Sequence, residues 1–133
     1  MYKCTTVMLV DDNETDNLIT KRMLELSGMA QQIISKSSGL AGLDYLRQHK
    51  DNPDLLPDII FLDINMPLIS GFDFLAQFHT LSLTLGKLCR VIILTSSDST
   101  QDISQMECNE HVSHFITKPL SVQMLRSLPE LAA

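Results

Sequence analysis

Residues 59–67 read IIFLDINMP. Four apolar residues run without alternation into Asp63, and Asn65 and Pro67 follow at once. An unbroken run of this kind suits a strand covered on both faces, as in a parallel sheet between two layers of helices. A carboxylate at the end of such a strand is costly to desolvate unless water or a partner compensates it. The fold and the chemistry both turn on what surrounds Asp63.

Working outward, similar runs recur along the chain. Thr6–Val10 reads as a first strand, Gln32–Lys36 as a second, Asp58–Leu62 as a third, Val91–Leu94 as a fourth and Val112–Thr117 as a fifth. Amphipathic stretches separate them. Asn13–Ser27 places Leu18, Ile19, Met23 and Leu26 on one side, with Asn13 and Asp16 set like an N-terminal cap and Gly28 as a stop. Gly39–Lys50 carries Leu40, Leu43 and Leu46, and Phe72–Leu83 carries Phe74, Leu75, Phe78 and Leu81. Thr100–Cys108 is a weaker helix, and Ser121–Leu128 a last one that Pro129 ends. Five β-α units imply an α/β fold of the doubly wound, flavodoxin-like kind, with right-handed crossovers. We expect one (βα)5 domain over residues 1–133, with a five-stranded parallel sheet of order 2-1-3-4-5.

Composition narrows the function classes. The 133 residues are 44% hydrophobic and 20% charged, lack tryptophan and carry a formal net charge of −6. That balance argues against binding a phosphate backbone, so no nucleic acid partner is expected. The longest apolar runs are four residues, far too short for a membrane span, and the amino terminus has no secretory apolar stretch. Cys4, Cys89 and Cys108 include no CxxC pair and read as free thiols of a reducing, cytoplasmic compartment. His49, His79, His111 and His114 are scattered and read as surface or loop residues rather than a metal site.

In an open parallel sheet the binding crevice lies at the carboxyl ends of the strands, near the point where strand order reverses. Here the first strand ends in Asp11 and Asp12 and the third in Asp63. The fourth ends in Thr95, Ser96 and Ser97, and the fifth runs into Lys118 and Pro119. Strands 1 and 3 are neighbours in the expected order, so three carboxylates converge, faced by a lysine and a hydroxyl. Carboxylates at close range repel one another unless a cation neutralises them. An all-oxygen cluster is the preference of a hard ion such as Mg²⁺. A lysine opposite can pair with a carboxylate or with an added phosphoryl group. Asp63 is then tolerated because a metal and Lys118 compensate it, and it is expected to stay exposed because it reacts.

These residues carry a resemblance. From VMLVDDNE (7–14) through IIFLDINMPLISGFDFL (59–75) and VIILTSS (91–97) to FITKPL (115–120), the chain resembles two-component response-regulator receiver domains over essentially its whole length. In words of that family, it looks like a stand-alone, chemotaxis-regulator-like receiver. The resemblance implies that Asp63 is the phosphoacceptor, attacking the phosphorus of a phosphohistidine donor as a carboxylate nucleophile. It implies Mg²⁺ held directly by Asp12 and Asp63, through water by Asp11, and by the backbone carbonyl of Asn65. Thr95 and Lys118 would contact the phosphoryl group, and Phe115 stands where an aromatic switch residue is found. Phe115 lacks a phenolic hydroxyl, so such a switch would work by packing as Phe115 moves in from the surface. Asn65 and Ser97 occupy positions that influence phosphoryl lifetime, and a cis bond at Pro119 would aim Lys118 into the site.

The implied partners are a histidine kinase or phosphotransfer protein upstream and a protein target downstream. The chain itself would be a signalling domain and not an enzyme. Two rival readings fall behind. A haloacid-dehalogenase-type phosphatase wants a second aspartate where Asn65 stands, together with a cap domain. A flavin-binding module needs a Ser/Thr-rich phosphate loop after the first strand, where this chain has Asp11, Asp12, Asn13 and Glu14.

Overall fold

Five strands form one parallel sheet: β1 (Thr6–Val10), β2 (Gln32–Lys36), β3 (Ile59–Asp63), β4 (Arg90–Thr95) and β5 (Val112–Thr117), in the order β2-β1-β3-β4-β5. The computed structural model describes residues 6–28, 30–64, 70–95, 109–118 and 120–128. Among them the helices are α1 (Glu14–Ser27), α2 (Gly39–Gln48), α3 (Gly71–Ser82) and α4 (Val122–Arg126), with a short 3₁₀ turn at Pro53–Leu55. The helix expected over Thr100–Cys108 lies outside the described residues, as do Cys4, Asn65, Ser97, Cys108, Pro119 and Pro129.

Strand burial explains why the runs were apolar without alternation. β1 and β3 are buried at every residue, and β4 at every residue but Arg90. The edge strands β2 and β5 are only partly covered. Successive side chains point to opposite faces. Met8, Val10, Ile60, Leu62, Val91 and Ile93 therefore pack with Leu43 and Leu46 of α2 and Phe74, Leu75 and Phe78 of α3. On the other face Val7, Leu9, Ile59, Phe61, Ile92 and Leu94 meet Leu24 of α1 and Leu125 of α4. The sheet is doubly wound.

β3 runs one residue later than expected, so that Asp63 is itself a ladder residue opposite Leu94. β4 extends to Thr95, opposite Thr117. Both changes carry the strands further into the end of the sheet where the polar residues gather.

Helix α1 does not seat the side expected of it. Leu18, Ile19 and Leu26 are exposed, at 67%, 44% and 49%, while Asn17, Thr20, Leu24 and Ser27 are buried. The reason is a hydrogen bond pattern that hydropathy does not register. Asn17 Nδ2 donates to the carbonyls of Asp11 (2.8 Å) and Lys36 (3.3 Å), tying α1 to the exits of β1 and β2. Ser27 Oγ donates to Leu24 O at 2.7 Å. Buried polar groups with partners carry no desolvation penalty of the unpaired kind, and they set the rotation of the helix. Its ends follow sequence signals: Asn13 caps the Asp16 amide at 3.0 Å, and Gly28 closes the helix with φ of 69°. In α2 the interior is held by Leu43 and Leu46, whereas Leu40 is exposed.

One close approach sits beside the functional end. The Gly71 amide, opening α3, donates to Ile64 O at 3.0 Å. A β-carbon on Gly71 would lie 2.7 Å from Ile64 Cα, a contact real side chains do not make. Glycine is needed there to bring the start of α3 against the residue after Asp63. Cys89 is buried and free, and burial pushes its thiol up to about 12 despite nearby Lys87. It is an inert core thiol.

Candidate functional site

The carboxyl ends of β1 and β3 deliver three aspartates to one place. Oxygen atoms of Asp11, Asp12 and Asp63 lie within 4.8 Å of one another. The adjacency is dictated by register: Val10 pairs with Leu62, so the next residues along each strand emerge side by side. Asp11 is 2% exposed, Asp63 6% exposed, and Asp12 faces solvent. The expectation that Asp63 stays exposed is overturned. Its place as a β3 ladder residue, opposite Leu94 and beside Lys118, removes it from bulk water.

Lys118 enters from the end of β5 and gathers these acids. Its Nζ donates to Asp11 Oδ2 at 2.7 Å and to Asp16 Oδ2 at 2.8 Å, and stands 3.7 Å from Asp63 Oδ2. Burial works to lower the Lys118 ammonium, but the hydrogen bonds to Asp11 and Asp16 and the charges of Asp63 and Asp11 outweigh it. The net shift is upward. Lys118 is thus a firmly charged cation held mainly by Asp11 and Asp16, with Asp63 the most distant of its three carboxylates. Its backbone amide donates to Thr95 O at 2.8 Å, so the ends of β4 and β5 are linked beside the site.

Asp16, read from the sequence only as part of a helix cap, is also a Lys118 partner. The signal was available only in three dimensions. The rotation of α1 fixed by Asn17 turns the first helical turn toward the end of β5.

Asp11 has both oxygens engaged. Oδ1 accepts the Asn13 amide at 2.9 Å while Oδ2 accepts Lys118. Asp12, by contrast, is solvent-facing at the rim of the cluster. Thr95 is 1% exposed at the end of β4. Phe115 pairs in register with Ile93 and is half-buried against the α2–α3 side of the core, so it is not the surface residue expected. Asn65 lies outside the described residues.

The electrostatic character of the site is lopsided: among the described residues, four carboxylates face one ammonium. An oxygen-only cluster of this spacing fits a hard divalent cation, which takes a few carboxylates and keeps several waters. The donor set therefore suits Mg²⁺.

Comparison with known proteins agrees with this geometry. Residues 7–129 match the response regulator receiver domain. The chain belongs to that family. As a receiver it has the phosphoryl-accepting, two-component signalling role of the family rather than that of a conventional enzyme. It is 32% identical over 124 residues to the probable methanogenesis regulatory protein FilR2 of Methanothrix harundinacea, covering 93% of this chain and 78% of that protein. It is 27% identical to the response regulator Rcp1 of Synechocystis, covering 90% of this chain and 80% of that one. Against the sensor histidine kinase CheAY of Helicobacter pylori it spans only 14% of the protein. Among solved structures, a two-component response regulator from Cytophaga hutchinsonii superposes with a TM-score of 0.83 at 27% identity, covering 92% of each chain. The Mn(2+)-bound form of Rcp1 superposes with a TM-score of 0.69 at 27% identity, again covering 92% of each chain. Among the described residues no helix of this receiver is long and apolar enough to cross a membrane.

Proposed function

We propose that Asp63 accepts a phosphoryl group from a phosphohistidine on a histidine kinase or phosphotransfer protein, and that the resulting state is read by a protein partner. The observation that carries this is the convergence of Asp11, Asp12 and Asp63 within 4.8 Å, with Lys118 at 3.7 Å from Asp63. A carboxylate oxygen of Asp63 would attack phosphorus, forming an O–P bond as the donor's N–P bond breaks and leaving an acyl phosphate. Mg²⁺, when bound, would neutralise the acid cluster and the incoming phosphoryl oxygens. Asp12 and Asp63 would hold it directly, and Asp11, whose oxygens are already engaged, would act through water. That the similar response regulator Rcp1 has a Mn(2+)-bound form is in keeping with a divalent ion bound by this chain.

Lys118 has a second task in this reading. It is held by Asp11 and Asp16, and a phosphoryl group on Asp63 would offer a stronger anionic partner within a short swing. Thr95, buried at the end of β4 and tied through its carbonyl to the Lys118 amide, would follow. Phe115, one strand over, would repack in response. The contacts made by the phosphoryl group need to supply a coupling of about 1–3 kcal/mol for such a shift to signal.

The test is intact mass after incubation with a small-molecule phosphodonor. We expect one added phosphoryl group, dependent on Mg²⁺ and removed by hydroxylamine as an acyl phosphate is. An adduct of equal yield in Asp63→Asn would defeat the assignment.

A further inference from the structure

The four histidines scattered through the sequence are not all isolated in space. His79, in the last turn of α3, and His111, just before β5, come together with Glu110 at the end of the sheet opposite the aspartate cluster. His79 Nδ1 lies 3.1 Å from His111 Nε2 and 3.2 Å from Glu110 Oε1, and His111 Nε2 lies 3.8 Å from the same carboxylate oxygen.

We propose that His79, Glu110 and His111 form a second cation site, selective for a borderline-soft transition metal of the zinc class. A tetrahedral zinc with bonds of about 2.0–2.1 Å to nitrogen and oxygen holds its ligand atoms about 3.3–3.4 Å apart. The three observed separations bracket that edge length, so a metal enters with shifts of only a few tenths of an ångström. Two imidazoles and one carboxylate are the donor set of three-ligand zinc sites, in which water takes the fourth position. Here His79 and Glu110 side chains are 55% and 71% exposed, which leaves that position to solvent. Two imidazole nitrogens also separate this site from the all-oxygen cluster at the other end, which prefers a hard ion.

The surroundings hold the ligands in place. The His111 ring is only 12% exposed and packs edge-on against Phe78, with centroids 5.0 Å apart. The His111 amide donates to Asn109 Oδ1 at 2.9 Å, and its carbonyl accepts the Val91 amide at 2.8 Å. One ligand is therefore rigid, while the two exposed ones can adjust around it. The negative end of the α3 dipole adds a favourable field for a cation near His79. A metal here would pin the end of α3 to the start of β5. Those two elements run from this site to the other: α3 begins against Ile64, and β5 ends at Thr117, next to Lys118. The inference does not rest on the role of Asp63.

The test is zinc binding by the whole protein, read by competition with a chromophoric chelator in excess Mg²⁺. The parent is expected to take up one equivalent of Zn²⁺ and to melt at a higher temperature with it. His79→Ala and Glu110→Gln, both at exposed positions, should melt as the parent does without metal yet bind Zn²⁺ at least tenfold more weakly. The Asp12→Asn, Asp63→Asn double variant should bind it as the parent does. Failure of the parent to bind Zn²⁺, equal affinity in the two histidine-site variants, or loss of binding in the aspartate variant would each overturn the proposal.

Discussion

The two ends of the sheet each hold a lysine against aspartate, and they are built to opposite purposes. At the amino end Lys87 Nζ lies 3.1 Å from Asp58 Oδ1 and donates to Leu56 O at 3.1 Å, while Asp58 Oδ2 accepts the Thr6 amide at 3.1 Å. Among the described residues one cation meets one carboxylate, and both carboxylate oxygens are occupied. At the carboxyl end Lys118 is divided among Asp11, Asp16 and Asp63, with Asp12 beside them. The first arrangement is closed: it staples β1, β3 and the segment leading into β4. The second is under-neutralised and buried, which is costly in a resting protein and useful in one that receives a cation and a phosphoryl group. A surplus of like charge at strand ends is a signature of function because packing alone gives no reason to keep it.

The contrast predicts unequal consequences for removing each lysine, and this is the largest expected effect. Lys118→Ala leaves Asp11 buried without its cation and should cost about 3–5 kcal/mol in urea unfolding without Mg²⁺. Lys87→Ala removes a partner from a pair whose side chains are 23% and 30% exposed, and should cost about 1 kcal/mol or less. Added Mg²⁺ should restore part of the loss in Lys118→Ala and none in Lys87→Ala. Equal losses would dissolve the distinction between the two ends.

The second prediction concerns the surplus itself. Asp12→Ala should stabilise the metal-free protein by about 1 kcal/mol, since a solvent-facing carboxylate at this range repels its neighbours at near-water screening. The same substitution should weaken Mg²⁺ binding, measured by the Mg²⁺ dependence of the melting temperature. A metal-free protein made less stable by this change would show that the cluster is not self-repelling.

The smallest effect is in alkaline solution. The folded-state pKa of Lys118 is raised above its ordinary 10.5, so the folded protein keeps that proton when the unfolded chain has begun to lose it. The stability this contributes is whole below about pH 10.5 and is lost as pH rises through the raised value. Stability curves of the parent and of Lys118→Met, both without divalent metal, should therefore run parallel from pH 7 to 10 and converge above 10.5. Curves that stay parallel throughout would place the lysine in water.

The fold was legible in the sequence because the central strands are covered on both faces, which leaves unbroken runs such as residues 59–62 that a half-exposed strand would not show. The converging aspartates were legible because strand order places β1 beside β3. What escaped notice depended on rotation and burial. The seated side of α1 is polar where Asn17 spans two strand-end carbonyls, and hydropathy ranks Leu18, Ile19 and Leu26 above it. That same rotation brings Asp16 to Lys118. Nor does sequence reveal that Asp63 sinks below the surface, or that His79 and His111, 32 residues apart, touch. The first depends on how far β3 runs, the second on where α3 ends.

The under-neutralised end of the sheet is the phosphoryl-accepting site we propose, with Asp63 as the acceptor. Borohydride reduction of the phosphorylated protein, followed by peptide mapping, tests it most directly, because an aspartyl phosphate is reduced to homoserine where it stands. Homoserine is expected at position 63 and nowhere else, in a yield that depends on Mg²⁺ during phosphorylation. Homoserine at position 11, 12 or 16, or a phosphorylated protein with none at 63, would contradict it.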